Sequence, residues 1–112
     1  MTANIITIES LQSLNEVFNE SHFRPVVLFK HSTTCGTSAH VLEMVSTINS
    51  EINLVVVQSH RDLSNEIAAL TGYRHHSPQA FVIKNGKPVY HATHYSIDPA
   101  AIEAYLDGSD AA

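Results

Sequence analysis

Hydrophobic positions follow two alternating patterns along this chain. In one pattern they recur every three to four residues, which is typical of amphipathic helices. In the other they form short continuous runs rich in β-branched residues, which are typical of strands buried on both faces. The first pattern predicts helices over residues 7–21, 39–48, 62–72 and 98–108. The second predicts four strands, over residues 26–30, 52–58, 80–84 and 89–93.

Polar caps, glycine and proline mark the ends of the predicted helices. Thr7 and Asp62 are suited to cap the first and third helices, because their side chains can accept hydrogen bonds from unpaired amides. Gly72 falls where the third helix is expected to stop. Asp98 followed by Pro99 predicts the start of the last helix, since proline is well tolerated at the first helical position.

The dipeptide Asn85-Gly86 lies between the last two strands and predicts a tight hairpin, so these strands are antiparallel. The earlier alternation of strand, helix and strand predicts a parallel βαβ unit. Together these features predict an α/β protein of three layers, with a four-stranded mixed sheet flanked by helices. No linker or shift in composition divides the sequence, so we expect one domain over residues 1–112.

Composition narrows the class of protein. Hydrophobic residues make up 44% of the chain and charged residues 15%, which is typical of a globular domain. A net charge of -5 with only 6 Lys plus Arg argues against nucleic acid as a partner. No apolar run approaches the ~20 residues of a membrane span, and the first residues do not resemble a signal peptide. We therefore expect a cytoplasmic protein that binds neither membranes nor nucleic acids. We also expect it to act as a monomer.

The only cysteine, Cys35, lies between a predicted buried strand and a predicted helix. At the start of a helix, the dipole and the unpaired amides stabilise the thiolate, which is the reactive form of cysteine. Cys35 is therefore a candidate nucleophile. The alternative is that Cys35 is a small buried hydrophobic residue, as many single cysteines are.

The order of elements, a cysteine after the first core strand and a loop proline before the hairpin together resemble the thioredoxin fold over nearly the whole chain. In that fold the loop proline is cis and faces the active cysteine. The resemblance therefore implies that the bond between Ser77 and Pro78 is cis, although only about 5–6% of such bonds are.

Two short segments, residues 29–35 and 76–79, more closely resemble the monothiol bacilliredoxin family, the YtxJ-like proteins of bacillithiol systems. That family carries Lys-His-Ser followed by Cys-Pro-x-Ser, and a Ser-Pro-Gln loop. This chain departs from the pattern at Gly36 and Thr37, where the family usually has proline and an aliphatic residue. The resemblance implies a thiol-disulfide oxidoreductase that uses bacillithiol as a co-substrate, acts on S-thiolated proteins and holds no bound cofactor.

Ser38 occupies the position where a dithiol reductase has its second cysteine. With Cys35 alone, the available chemistry is monothiol: Cys35 attacks a mixed disulfide, takes up the small thiol and awaits an external thiol. We expect the Ser38 hydroxyl to lie near the sulfur and to donate a hydrogen bond to the thiolate. The alternative is a solvated serine in the first helical turn.

The two loops also carry candidate substrate-binding residues. A cis Pro78 would present the backbone of Ser77 to an extended substrate segment, as an added strand pairs with a sheet edge. Gln79 and Thr34 are polar neighbours of these loops and are further candidates for substrate contact.

Basic residues fall on both loops: Lys30, His31, Arg74, His75 and His76. Low-molecular-weight thiols carry carboxylates, which a positive rim would attract. His31 could also shuttle a proton, because the ordinary pKa of histidine lies near neutrality. The alternative is that the two long cationic side chains only solvate loop edges.

Two other functions remain open. The sequence from Cys35 to Ser38 is similar to the Cys-Gly-Phe-Ser of monothiol glutaredoxins, which carry iron–sulfur clusters, although phenylalanine is replaced by Thr37. A thioredoxin-like adaptor without turnover is the other alternative. We expect no metal site, because His91 and His94 are three apart on a predicted strand and would face opposite ways.

Overall fold

A computed structural model describes residues 3–108 of the chain. Its centre is a five-stranded sheet in the order β1-β3-β2-β4-β5. The strands are β1 (Asn4–Thr7), β2 (Val26–His31), β3 (Glu51–Val56), β4 (Gln79–Lys84) and β5 (Lys87–Thr93). The helices are α1 (Leu11–Glu20), α2 (Gly36–Val45), α3 (Arg61–Thr71) and α4 (Pro99–Leu106), with a short 3₁₀ turn at His94–Ser96.

The prediction of four strands was wrong, because β1 adds a fifth at the sheet edge. This strand pairs in parallel with β3, and Asn4 lies opposite Glu51. It lacks the apolar run of the central strands, and most of its side chains are exposed. The hydrophobic pattern of the sequence therefore does not predict this strand. Thr7 ends this strand. The residue that caps α1 is Ser10, whose hydroxyl accepts a hydrogen bond from the Ser13 amide at 3.1 Å.

Two hydrophobic clusters fill the two faces of the sheet. Because side chains alternate along a strand, β2 sends Val26 and Leu28 to the face covered by α1 and α3. It sends Val27 and Phe29 to the face covered by α2 and α4. The same alternation continues to the end of the strand, where it places Lys30 on the α1 and α3 side and His31 opposite.

The ends of three strands position the candidate site. β2 runs parallel to β3, and β4 runs antiparallel to β2, with Lys30 opposite Gln79. The loop that follows β2 and the loop that precedes β4 therefore meet at one end of the sheet. The Asn85–Gly86 hairpin turn lies at the other end, with φ angles of 55° and 75° that suit the predicted tight turn.

Candidate active site

Cys35 lies at the first of these two loops and forms the N-cap of α2. Cys35 is partly exposed, and its side chain makes no capping hydrogen bond. The first intrahelical bond runs from the Ala39 amide to the Cys35 carbonyl at 3.1 Å, so the amides of the three residues before Ala39 precede the helical ladder. No acidic residue lies in the first turn of α2. Cys35 therefore lies beside the unpaired amides at the positive end of the helix dipole.

A side chain from the neighbouring strand end clamps the cysteine loop. The Gln58 Nε2 atom donates to Ser32 Oγ at 2.6 Å and to Thr34 Oγ1 at 3.0 Å. Its Oε1 atom accepts from the Thr33 amide at 3.2 Å. Sequence reasoning missed Gln58, because an exposed glutamine after a buried strand carries no periodic signal. The clamp fixes the three residues that lead to Cys35.

Ser38 lies close to Cys35 in sequence, but its hydroxyl is engaged elsewhere. The side chain is fully buried, with Oγ 2.7 Å from His31 Nδ1 and 3.0 Å from the Ser32 amide that donates to it. Within residues 3–108 it makes no hydrogen bond to the Cys35 sulfur, so the expected donation to the thiolate is not observed. Burial lowers the pKa of His31, which favours the neutral ring near pH 7.

The second loop carries a cis peptide bond between Ser77 and Pro78, the isomer that the resemblance implies. Pro78 is buried, and its carbonyl accepts from the His94 amide at 3.1 Å. Ser77 is half-buried, and its backbone N–H and C=O make no hydrogen bond within the described part of the chain. An extended peptide could pair with these groups.

Gln79 was predicted to contact substrate, but its side chain is fully buried. Its Nε2 atom donates to the Arg74 carbonyl at 3.0 Å and lies 2.9 Å from His91 Nε2. Its Oε1 atom accepts from the His76 amide at 3.4 Å. Gln79 therefore braces the proline loop from behind, and the His91 ring is held in turn by stacking on Tyr73 at 3.7 Å.

Lys30 was predicted to lie on a positive rim, but the structure buries it completely. Its Nζ atom donates to the Ser64 carbonyl at 3.4 Å, on the α3 side of the sheet. Burial lowers the pKa of Lys30 from 10.5 to about 8. Of the other predicted basic residues, Arg74, His75 and His76 are exposed on the proline loop.

The predicted site residues thus form two layers. Cys35, Thr34, Ser77, Arg74 and His76 reach the surface of the two loops. The buried layer consists of Lys30, Ser38, Pro78 and Gln79. Of these, Ser38 bonds the cysteine loop and Gln79 bonds the proline loop, whereas Lys30 bonds α3. His31 is half-buried between the layers.

Two further properties of residues 3–108 concern metals and membranes. No three His, Cys, Asp or Glu side chains in this range form a group that could hold a metal ion. His94 begins the 3₁₀ turn after β5, so it does not share a strand with His91 as predicted. No helix in the same range is long and apolar enough to cross a bilayer.

The fold and the site define a thioredoxin-like protein with a cysteine at the start of a helix. A solved structure described as a candidate oxidoreductase with a thioredoxin fold has 30% sequence identity and a TM-score of 0.78, and the match covers 88% of this chain and 90% of that one. The thioredoxin of Malassezia sympodialis matches with 18% identity and a TM-score of 0.72, over 98% of this chain and 93% of its own. Thioredoxin NaTrxh of Nicotiana alata matches with 16% identity and a TM-score of 0.72, over 96% and 94%.

A more specific family assignment comes from the sequence. Residues 6–102 match the family of monothiol bacilliredoxin BrxC. The chain belongs to this family, and the family and the fold together support a role in thiol redox chemistry.

Proposed function

We propose that this protein is a monothiol oxidoreductase that removes bacillithiol from S-thiolated proteins through a mixed disulfide on Cys35. In the first step the Cys35 thiolate attacks the bacillithiol sulfur of a mixed disulfide. A bond forms between the two sulfurs, and the target protein leaves as a thiolate that takes up a proton. In the second step a free thiol attacks the adduct, forms a small disulfide and restores the Cys35 thiolate.

One observation carries this proposal. Cys35 is partly exposed at the N-terminus of α2, whereas the position of a second cysteine is filled by Ser38, whose hydroxyl is committed to His31 and Ser32. With one sulfur, the reaction stops at a mixed disulfide until an outside thiol arrives. The unpaired backbone of Ser77 supports an extended protein segment as the substrate.

The remaining parts of the proposal concern the setting of the reaction. The protein acts as a monomer with no bound cofactor, and its partners are S-thiolated proteins and the small thiol. Because Cys35 must return to the reduced form after each cycle, we place the reaction in the reducing cytoplasm.

The test is the intact mass of the protein after incubation with a bacillithiol-modified reporter protein. We expect the bacillithiol mass to appear on the wild type, to be absent from the Cys35→Ser variant and to form more slowly from a glutathione-modified reporter. A Thr37→Ser variant, which retains Cys35, is the control for substitution near the thiol. No adduct from either donor would contradict the proposal. A brown dimer with visible absorption would instead favour an iron–sulfur carrier, and a colourless protein without transfer would favour an adaptor.

A further inference from the structure

A cleft of about 360 Å³ opens beside the cysteine loop, between the end of β3, the start of α3 and the proline loop. Thr34, the residue before Cys35, forms one wall, so the cleft begins next to the reactive position. The other lining residues are Val57, Gln58, Arg61, Ser64, Asn65 and His75. Its volume lies at the lower end of the range for small-molecule sites, about 300–1,000 Å³.

Within residues 3–108, the one charged side chain that lines this cleft is the cation Arg61. His75 also lines it, and no acidic residue of this range does. The His75 Nδ1 atom lies 3.1 Å from Ser64 Oγ. Partial burial lowers the pKa of His75 most, and the positive charges of Lys30, His76 and Arg61 lower it further, so the ring is neutral near pH 7 with cations around it.

Lys30 places a further positive charge just behind the wall of the cleft. Its side chain is fully buried, and its Nζ donates to the carbonyl of Ser64, a residue of the cleft wall. Within residues 3–108 Lys30 has no ion-pair partner. A buried ammonium group without a counter-charge is unfavourable, so its position just behind the wall favours an anion in the cleft.

The neutral lining residues suit a polar ligand. Gln58 is committed to the cysteine loop, but the Asn65 side chain is exposed and makes no hydrogen bond within the described part of the chain. An amide in this position can donate to or accept from hydroxyl groups. The cleft thus combines one surface cation at Arg61, one buried cation at Lys30, the polar ring of His75 and one free amide.

We propose that this cleft binds the carboxylate end of the acidic small thiol whose sulfur is joined to Cys35, with Arg61 as the direct contact and Lys30 as the charge behind it. The inference rests on the proposed function, because it assigns the binding site for the small thiol in that reaction. It also makes a distinct claim, that the cleft selects acidic thiols over neutral ones.

The experiment compares two donors made from one reporter protein, one modified with bacillithiol and one with 2-mercaptoethanol, which has no carboxylate. The rate of mass transfer to Cys35 is measured for the wild type and for Arg61→Gln. We expect Arg61→Gln to slow transfer from the bacillithiol donor about tenfold, the scale of one charge-assisted hydrogen bond, and to leave the neutral donor unchanged. Arg61→Lys should retain part of the preference.

The matched control is Arg24→Gln, which removes the same charge at the opposite end of β2, where Arg24 pairs with Glu20. Its rates should equal those of the wild type with both donors. Equal slowing of both donors by Arg61→Gln, or no change with either, would overturn the cleft assignment while leaving the monothiol reaction intact. Failure of the wild type to accept mass from either donor would overturn the proposed function and the cleft assignment with it.

Discussion

His31 Nδ1 and Ser38 Oγ lie 2.7 Å apart at the position where a dithiol reductase has its second cysteine. The Ser38 oxygen also accepts the Ser32 amide at 3.0 Å. When His31 is neutral with Nδ1 unprotonated, the hydroxyl proton is donated to the ring. When Nδ1 carries a proton, the hydroxyl accepts from both partners and its own proton is free. The state of the ring therefore sets the direction of the hydroxyl near Cys35.

Replacing Ser38 by alanine should destabilise the protein. The substitution leaves the buried Ser32 amide without its acceptor, and an unsatisfied buried group costs about 1–3 kcal/mol. Unfolding in urea measures the change in free energy. Ser59→Ala, at an exposed serine whose side chain makes no hydrogen bond within residues 3–108, is the control and should be neutral. Equal stability of Ser38→Ala and the wild type would contradict a structural role for this hydroxyl.

A Ser38→Cys variant should convert the monothiol site into a dithiol site. Residues three apart at the start of a helix share one face, so the new thiol can attack the mixed disulfide on Cys35. The small thiol would then leave, and an internal disulfide would remain. After reaction with a thiolated reporter, the intact mass should show the loss of two hydrogen atoms in place of the small-thiol adduct. A Thr37→Cys variant, one residue earlier, should keep the adduct longer, and a lasting adduct in both would contradict this geometry.

The sequence revealed the parts of this architecture that depend on local patterns. Continuous apolar runs located the three central strands, and Asn85-Gly86 located the hairpin. The strand β1 was not predicted, because it is short and exposed and is stabilised by backbone pairing with β3. An edge strand of this kind needs no hydrophobic pattern, since only its backbone must match the neighbour.

In the candidate site, too, the features that depend on local sequence patterns were predictable and the contacts across the fold were not. The placement of Cys35 at a helix start follows from the order of the elements, and the sequence was sufficient for it. The clamp by Gln58 and the brace by Gln79 depend on side-chain bonds across the fold, and single polar residues give no sign of such partners. The burial of Lys30 could have been predicted from the sequence, because Lys30 continues the alternation of Val26 and Leu28 on β2.

Gln58→Ala should loosen the cysteine loop without unfolding the protein. The variant loses three hydrogen bonds to residues 32–34, each of net value about 0.5–1.5 kcal/mol, with partial replacement by water because Gln58 is exposed. Hydrogen exchange at the Thr33 amide should accelerate, and transfer to Cys35 should slow. Gln12→Ala, at an exposed position of α1, should change neither. Unchanged protection of the Thr33 amide would contradict the clamp.

Stability should fall as the pH falls below the ordinary histidine pKa. Burial lowers the pKa of His31, His75 and His91 from 6.5, with help from neighbouring cations at the last two. Below 6.5 the unfolded chain therefore binds protons that the folded chain does not, and the equilibrium shifts toward unfolding. Urea midpoints measured between about pH 7.5 and about pH 5.5 should decrease.

The contribution of His31 to this pH dependence can be isolated from the slope of the urea midpoint against pH. His31→Gln should make the midpoint depend less on pH, whatever its effect on absolute stability. Gln12→Ala, at an exposed site of α1 that carries no titratable group, is the control and should retain the wild-type slope. Identical slopes in both variants would contradict the assignment to His31.

Lys30→Met should stabilise the protein while weakening its reaction with an acidic thiol. Burial lowers the pKa of Lys30 from 10.5 to about 8, so below pH 8 the folded chain holds a charge that is better solvated in the unfolded chain. Removing this charge should raise the free energy of unfolding by about 1–3 kcal/mol near neutral pH, since methionine fills a similar buried volume. Between 8 and 10.5 only the unfolded wild type stays protonated, so the wild type gains stability with rising pH and the advantage of the variant shrinks.

Urea unfolding of both proteins across this pH range measures that difference, and Lys87→Met, at an exposed lysine of β5, is the control. A second measurement tests the electrostatic contact between Lys30 and His75. Because Lys30 lowers the pKa of His75, its removal should raise that pKa, which NMR titration reports directly. A more stable variant that also accepts bacillithiol more slowly would mean that the protein retains a buried cation at the expense of stability because the cleft requires it. A variant that is less stable, or one with an unchanged His75 titration, would contradict the burial of an unpaired charge at this position.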